Sequence, residues 1–343
     1  MRGARAAVRP ARARVAGARH GLAAALAALA AAAGVAACGD AGPPATPAAR
    51  TATTPHTTAP AATGAEAITV AAERRLDDRL EDFTLRTPAL AGATHVRLLL
   101  PAGYRADPSR RYPVLYLLHG ASGDERSWTA HRAAEALTAR YALIVVMPDG
   151  GSQGWYTDWY RGAQVVRPRW ETYHVQQLVP WVDARFRTIA SRGGRAIAGL
   201  SMGGYGALSY AARHPGVFAA AASFSGALEI GAEAAWGSRS AAPERWRTHL
   251  PISIAGRLRS LAVVEIRTGN GRPGPLDRRG TRANCPPCEI ERFLHPSNVR
   301  LHKRLRALGI RHVWDDYGPG THDWPYWRRD LRETLPDLTR VLT

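Results

Sequence analysis

Apolar positions along the chain fall into short runs separated by longer segments of helical spacing. His95–Pro101 (HVRLLLP) and Tyr112–His119 (YPVLYLLH) are apolar runs bounded by Pro and Gly, and each predicts a strand. Ala142–Pro148 (ALIVVMP) is apolar throughout, the mark of a strand covered on both faces. Trp128–Tyr141 and Trp170–Phe186 carry their apolar residues at helical intervals and predict helices. Further on, Arg195–Leu200, Ala219–Ser225, Leu261–Thr268 and His312–Tyr317 read as strands, with helices over Gly203–His214 and Ser297–Leu308. This alternation predicts a single α/β domain, a mostly parallel central sheet with helices on both faces.

One strand-to-helix junction carries chemistry. Gly199-Leu200-Ser201-Met202-Gly203 fits G-x-S-x-G, in which a strand turns sharply into a helix and a serine sits at the apex. The pattern alone is weak, but a predicted strand (RAIAGL) precedes it and a Gly/Ala-rich helix follows, as a nucleophile elbow requires. A serine hydroxyl needs a base and the base an orienting acid. In α/β-hydrolases these come in the order Ser, acid, His, with the His after the last strand, which points to His322 in GTHDW. For the acid, spacing favours Asp277, in the loop after Leu261–Thr268; Glu289 and Glu291 lie further on. Asp315 and Asp316 fall within the predicted last strand and read as a solvated edge. Two N–H donors must hold the oxyanion of a tetrahedral intermediate; Met202 supplies one and Ala121, in the LHGASG loop, the other. His119 in that loop reads as an ordering residue rather than a base.

Composition narrows the function classes. Of 343 residues, 45% are hydrophobic and 22% charged, which suits a folded globular body. Three Cys cannot make a disulfide framework, and a domain this size needs none. The net charge is +18, yet six of the 46 basic residues and no acidic one lie in residues 1–37. The rest are nearly all Arg, interleaved with acids rather than gathered in a stripe, so nucleic-acid binding is not expected. Residues 1–37 have an Arg-rich start and an Ala/Leu-rich stretch, the pattern of a secretory signal. Val35-Ala36-Ala37-Cys38 at its end resembles a bacterial lipobox, which makes Cys38 a lipidation site and a tie to a membrane surface. Residues 38–65 are Pro, Ala and Thr with little charge, an extended tether. The folded domain is expected over 66–343. No metal or cofactor is implied.

Several longer segments resemble the antigen 85-type mycolyltransferases within the esterase D-like α/β-hydrolases. They include VLYLLHG (Val114–Gly120), LIVVMPDGGSQGWYTDWY (Leu143–Tyr160), WETY (Trp170–Tyr173), SFSG (Ser223–Gly226), GNG (Gly269–Gly271) and GTHDWPYW (Gly320–Trp327). The resemblance implies Ser201 as nucleophile, His322 as base, and Met202 and Ala121 at the oxyanion positions. It moves the acid from Asp277 to Glu291, which stands before Ser297-Asn298 at the family interval. It implies an extracytoplasmic enzyme acting on an acyl ester or lipid through an acyl-enzyme, as an esterase or as an acyltransferase to a sugar or glycerol hydroxyl. His119 stands where mycolyltransferases carry an Asp of their trehalose site, which favours hydrolysis. His119, Tyr156, Asp158, Trp159 and Trp324 are candidate substrate-site residues. Cys285-Pro286-Pro287-Cys288 is a candidate disulfide in a stretch longer than its family counterpart; two unlinked thiols are the bland alternative. The contrasting class is a non-catalytic wall-binding module on the same fold.

Overall fold

A nine-stranded sheet forms the centre of the computed structural model, which describes residues 64–160, 167–229 and 233–343. The signal-like segment, nearly all of the tether and Cys38 lie outside the described residues. The strands are β1 (Thr69–Arg75), β2 (Leu80–Arg86), β3 (Thr94–Leu99), β4 (Val114–Leu118), β5 (Ile144–Pro148), β6 (Arg195–Leu200), β7 (Ala220–Phe224), β8 (Val263–Thr268) and β9 (Val313–Asp316). They lie in the order β1-β2-β3-β5-β4-β6-β7-β8-β9. The first four in that order pair antiparallel, and β5 through β9 pair parallel. Strands β4 to β8 are buried along their whole length; β4, β5 and β7 carry no charge, as a strand covered on both faces requires, while β8 buries Glu265 and Arg267 as a pair 3.0 Å apart. Alternate residues feed opposite layers: Val114, Tyr116 and Ile197 pack on one side, Leu115, Leu117 and Ala196 on the other.

The helices are α1 (Ser127–Ala130), α2 (Ala133–Thr138), α3 (Val179–Arg185), α4 (Met202–Arg213), α5 (Glu233–Trp236), α6 (Pro243–His249), α7 (Pro286–Ala307) and α8 (Trp324–Arg340). Three of the expected helices take a different form. The helix expected over Trp128–Tyr141 is broken into α1 and α2 by Arg132, whose φ is +50°. Ahead of α3, Thr172–Leu178 is wound as a π-helix. Pro180 has no N–H to offer the Gln176 carbonyl, and the Gly64 N–H takes that carbonyl instead at 2.9 Å. The third departure matters most for the site. α7 starts at Pro286, far ahead of the expected Ser297, and runs through Pro296. Pro286 and Pro287 occupy its first turn, where a missing N–H costs nothing. At the interruption made by Pro296, Ser297 Oγ and Asn298 Nδ2 both donate to the Leu294 carbonyl, at 2.7 and 3.1 Å.

Candidate active site

Ser201 is the single residue between the end of β6 and the start of α4, with φ 54° and ψ −118°. A side-chain-bearing residue held there stores roughly 1–3 kcal/mol of strain. Backbone bonds hold it in place: its N–H donates to Phe224 O at 2.9 Å, and its carbonyl accepts from Tyr205 N and Ala227 N, both at 3.1 Å. The close approach of α4 to β4 demands Gly203, where a Cβ would lie 2.5 Å from His119 O and 2.6 Å from Leu118 O.

His322 sits in the loop between β9 and α8. Its Nε2 is 2.9 Å from Ser201 Oγ and its Nδ1 is 2.7 Å from Glu291 Oε2. With a carboxylate facing Nδ1, the network assigns the ring proton to Nδ1 and leaves the Nε2 lone pair for the serine hydroxyl. Trp327 meets the imidazole edge-on, with ring centroids 5.0 Å apart. Glu291 lies near the start of α7 and is fully buried. Its other oxygen, Oε1, accepts three hydrogen bonds: from Ser225 Oγ (2.8 Å), Thr268 Oγ1 (2.8 Å) and Gly269 N (2.9 Å). A buried carboxylate is costly unless its lone pairs are filled, and here both oxygens have partners.

Asp277, the acid that spacing favoured, does not reach His322. Its Oδ1 accepts from Thr321 Oγ1 (2.6 Å) and its Oδ2 from Tyr326 Oη (2.8 Å) and Gly274 N (2.7 Å). It holds the loop that carries His322 and not the ring itself. Asp315 is no free edge residue either, since it pairs with Arg267 at 2.8 Å and Arg329 at 2.9 Å. Asp316 pairs with His295 at 2.8 Å.

Met202 is the first residue of α4, so its N–H has no carbonyl inside the helix to bond. The Gly120-Ala121 loop packs against the same turn: a Cβ on Gly120 would lie 3.2 Å from Ser201 Cβ. That loop is tied down by Ser122 N donating to Ser152 O at 2.8 Å. The Met202 N–H and the Gly120-Ala121 loop therefore flank the serine.

Of the five side chains expected to line a substrate cleft, His119 and Tyr156 are turned into the core, each about 1% exposed. His119 Nε2 accepts from Gly150 N at 2.8 Å and its Nδ1 lies 2.7 Å from Gly120 O, so both ring nitrogens are taken by backbone. Tyr156 Oη donates to His119 O at 3.0 Å, and burial, then the Asp149 charge, push its pKa well above the usual phenol range. For these two, the substrate-contact expectation gives way to a loop-ordering one. Asp158 spends both oxygens on Thr172, at 3.0 and 2.6 Å, and burial raises its pKa. Trp159 and Trp324 remain partly exposed. Trp324 stacks on His131 with centroids 3.9 Å apart and meets Trp128 and Trp327 edge-on, so it stands in an aromatic girder beside His322. Cys285 and Cys288 are joined by a disulfide at the start of α7.

Ser225, Thr268 and Gly269 had no role in the sequence reading. They lie in the SFSG segment and in or beside GNG, so their place was visible but their function was not. Ser225 has φ +49°, a strained conformation for its residue type.

A mostly parallel sheet, with a strained serine at a strand-to-helix turn and an imidazole between it and a buried carboxylate, is the architecture of the α/β hydrolases. The chain belongs to the Esterase family, whose model matches residues 87–338. It is 33% identical over 257 residues to the diacylglycerol acyltransferase/mycolyltransferase Ag85B of Mycobacterium leprae (strain TN), covering 67% of this chain and 76% of that one. It is 47% identical over 156 residues to Esterase Rv1288 of Mycobacterium tuberculosis (strain ATCC 25618 / H37Rv), covering 45% of this chain. The match spans only 34% of that longer relative. Among solved structures, a ferulic acid esterase aligns with a TM-score of 0.59 and 26% identity, over 77% of this chain and 98% of its own. The chain is an enzyme of the ester hydrolase or acyltransferase kind.

Proposed function

We propose that the protein cleaves acyl esters through a covalent acyl-enzyme on Ser201, with His322 as base and Glu291 as its orienting acid. The observation that carries this reading is the unbroken line from Ser201 Oγ through His322 to Glu291 Oε2, at 2.9 and 2.7 Å. Ser201 attacks the ester carbonyl while its proton passes to His322 Nε2, and Glu291 steadies the imidazolium. The oxyanion is held by the Met202 and Ala121 N–H groups; losing one such donor costs about 10²–10³ in rate. The tetrahedral intermediate collapses, the C–O bond to the leaving alcohol breaks, and His322 returns the proton to that oxygen. The cycle then repeats with an incoming hydroxyl, which His322 deprotonates as it attacks the acyl-enzyme.

Water is the acceptor in the leading reading, which the identity to Esterase Rv1288 supports. Transfer to a sugar or glycerol hydroxyl is the second reading, supported by the likeness to Ag85B, named a diacylglycerol acyltransferase/mycolyltransferase. The enzyme is extracytoplasmic and held at a membrane surface through lipidated Cys38. Support for this comes from the signal-like residues 1–37 and from a disulfide that suits an oxidising compartment.

The test is a nitrophenyl acyl ester assay, with and without trehalose or a glycerol lipid, beside Ser201→Ala. Ser201-dependent nitrophenol release with the acyl group on water supports the esterase. Acyl product on the added hydroxyl moves the assignment to the transferase. Equal inertness of wild type and Ser201→Ala leaves a binding module.

A further inference from the structure

Three segments meet behind the His322 ring. Gly271 N donates to Gly320 O at 2.9 Å and Asn270 N to Gly318 O at 2.8 Å, so the strip after β8 is stitched to the loop carrying His322. That loop is in turn bonded to the first turn of α7: His322 N donates to Pro287 O at 3.1 Å. Pro287 lies inside the ring closed by the Cys285–Cys288 disulfide. Cys285 is also the cap of α7, its sulfur accepting from Cys288 N at 3.1 Å, and Glu291 sits three residues beyond Cys288. The turn packs tightly: Gly271, at φ +76°, lies so close to Cys288 O that no Cβ would fit.

We propose that the Cys285–Cys288 disulfide is a positioning clamp for the histidine–carboxylate pair, setting the backbone of His322 and the start of the helix that carries Glu291 in one covalent turn. The inference rests on the triad reading above. Pro286 and Pro287 have no N–H, so the hydrogen bonds of this turn come from Cys288 N, on Cys285 Sγ at 3.1 Å, and Glu289 N, on Cys285 O at 3.0 Å. The disulfide adds a covalent constraint across the same four residues. Without it the Pro287 carbonyl can swing away from His322 N, and the imidazole loses its backbone reference on that side. Displacing a reacting group by about 1 Å can cost on the order of 10²-fold in rate. In the presence of a dithiol reductant, exchange would cleave the S–S bond to two cysteine thiols while the dithiol closes to its own disulfide, so activity becomes redox-dependent.

The test uses the full chain and the double variant Cys285→Ser/Cys288→Ala. Ser at position 285 keeps a good helix cap, so capping is retained while covalent closure is removed. The clamp predicts kcat lower by about 10- to 100-fold with KM within about twofold, and slower Ser201 labelling by a fluorophosphonate to the same degree. An unchanged kcat and labelling rate overturn it, as does a loss in KM alone. Should the variant fail to fold by circular dichroism, wild type is titrated with dithiothreitol. Activity must then fall in step with iodoacetamide labelling of the peptide bearing Cys285 and Cys288, and return on reoxidation; full activity with both thiols labelled overturns the clamp. Failure of the function reading looks different: wild type with its disulfide intact would show no Ser201-dependent turnover.

Discussion

Replacing Glu291 by Gln removes one charge and almost no volume, and the structure fixes how the amide must sit. Oε1 of Glu291 accepts from three donors, Ser225 Oγ, Thr268 Oγ1 and Gly269 N. An amide NH2 cannot accept, so the Gln oxygen must stay on that side and the NH2 must face His322 Nδ1. Nδ1 then has to accept, the ring proton moves to Nε2, and Nε2 can no longer take the Ser201 proton. A base held in the wrong tautomer costs about 10⁴-fold in kcat in serine triads of this geometry. Glu291→Gln should therefore fold and bind ester with near-normal KM while losing about four orders of magnitude in nitrophenyl ester turnover. Asp277→Asn, which touches Thr321 and Tyr326 but not the imidazole, should stay within about tenfold of wild type, the scale of one hydrogen bond. If Glu291→Gln keeps more than a tenth of the wild-type kcat, or Asp277→Asn is the more damaging change, the assignment of the acid is wrong.

Other expectations follow from the same contacts. Ser225→Ala removes one of three donors to Glu291 Oε1 and should lower kcat about tenfold without changing KM; a pure KM effect would place Ser225 against substrate instead. Gly203→Ala puts a methyl 2.5 Å from His119 O, so the urea midpoint should drop by the equivalent of about 1–3 kcal/mol, and an unchanged midpoint would show that β4 yields freely. His174 and His249 are pushed by burial from the ordinary 6.5 to about 4 in the fold. The unfolded chain then binds more protons than the native one below pH 6.5. Stability should fall as pH drops through 6.5 towards 4, by about 2 kcal/mol per histidine at pH 5. Denaturant melts of wild type and His174→Gln between pH 5 and 7.5 check this, and parallel curves would refute it.

The elbow was legible because its chemistry and its local structure coincide in five residues: a strand must stop, turn and become a helix around Ser201. His322 was legible from its place after the last strand. Glu291 was not, because the carboxylate lies 23 residues beyond Thr268, in a helix whose start is disguised by two prolines at its head and a third inside it. Only the family likeness brought it forward. The first two strands escaped for another reason. β1 is an exposed edge strand with no alternation, and β2 buries Glu81 and Asp82 beside apolar neighbours. Those carboxylates are matched from elsewhere, Glu81 by Arg105 at 2.6 Å and Asp82 by Arg97 and Arg74 at 3.3 and 3.1 Å. A pairing of that kind is invisible to periodicity. Periodicity is equally blind to the burial of His119 and Tyr156. Both spend their polar atoms on backbone: His119 Nε2 accepts from Gly150 N, its Nδ1 lies beside Gly120 O, and Tyr156 Oη donates to His119 O.

Catalysis through Ser201 requires a covalent acyl group on that residue. Wild type mixed briefly with a nitrophenyl acyl ester and quenched in acid should gain the mass of one acyl group, and digestion should find it on the peptide containing Ser201. Ser201→Ala should gain nothing. Nitrophenol release without an adduct, or an adduct that persists in Ser201→Ala, would contradict the central claim.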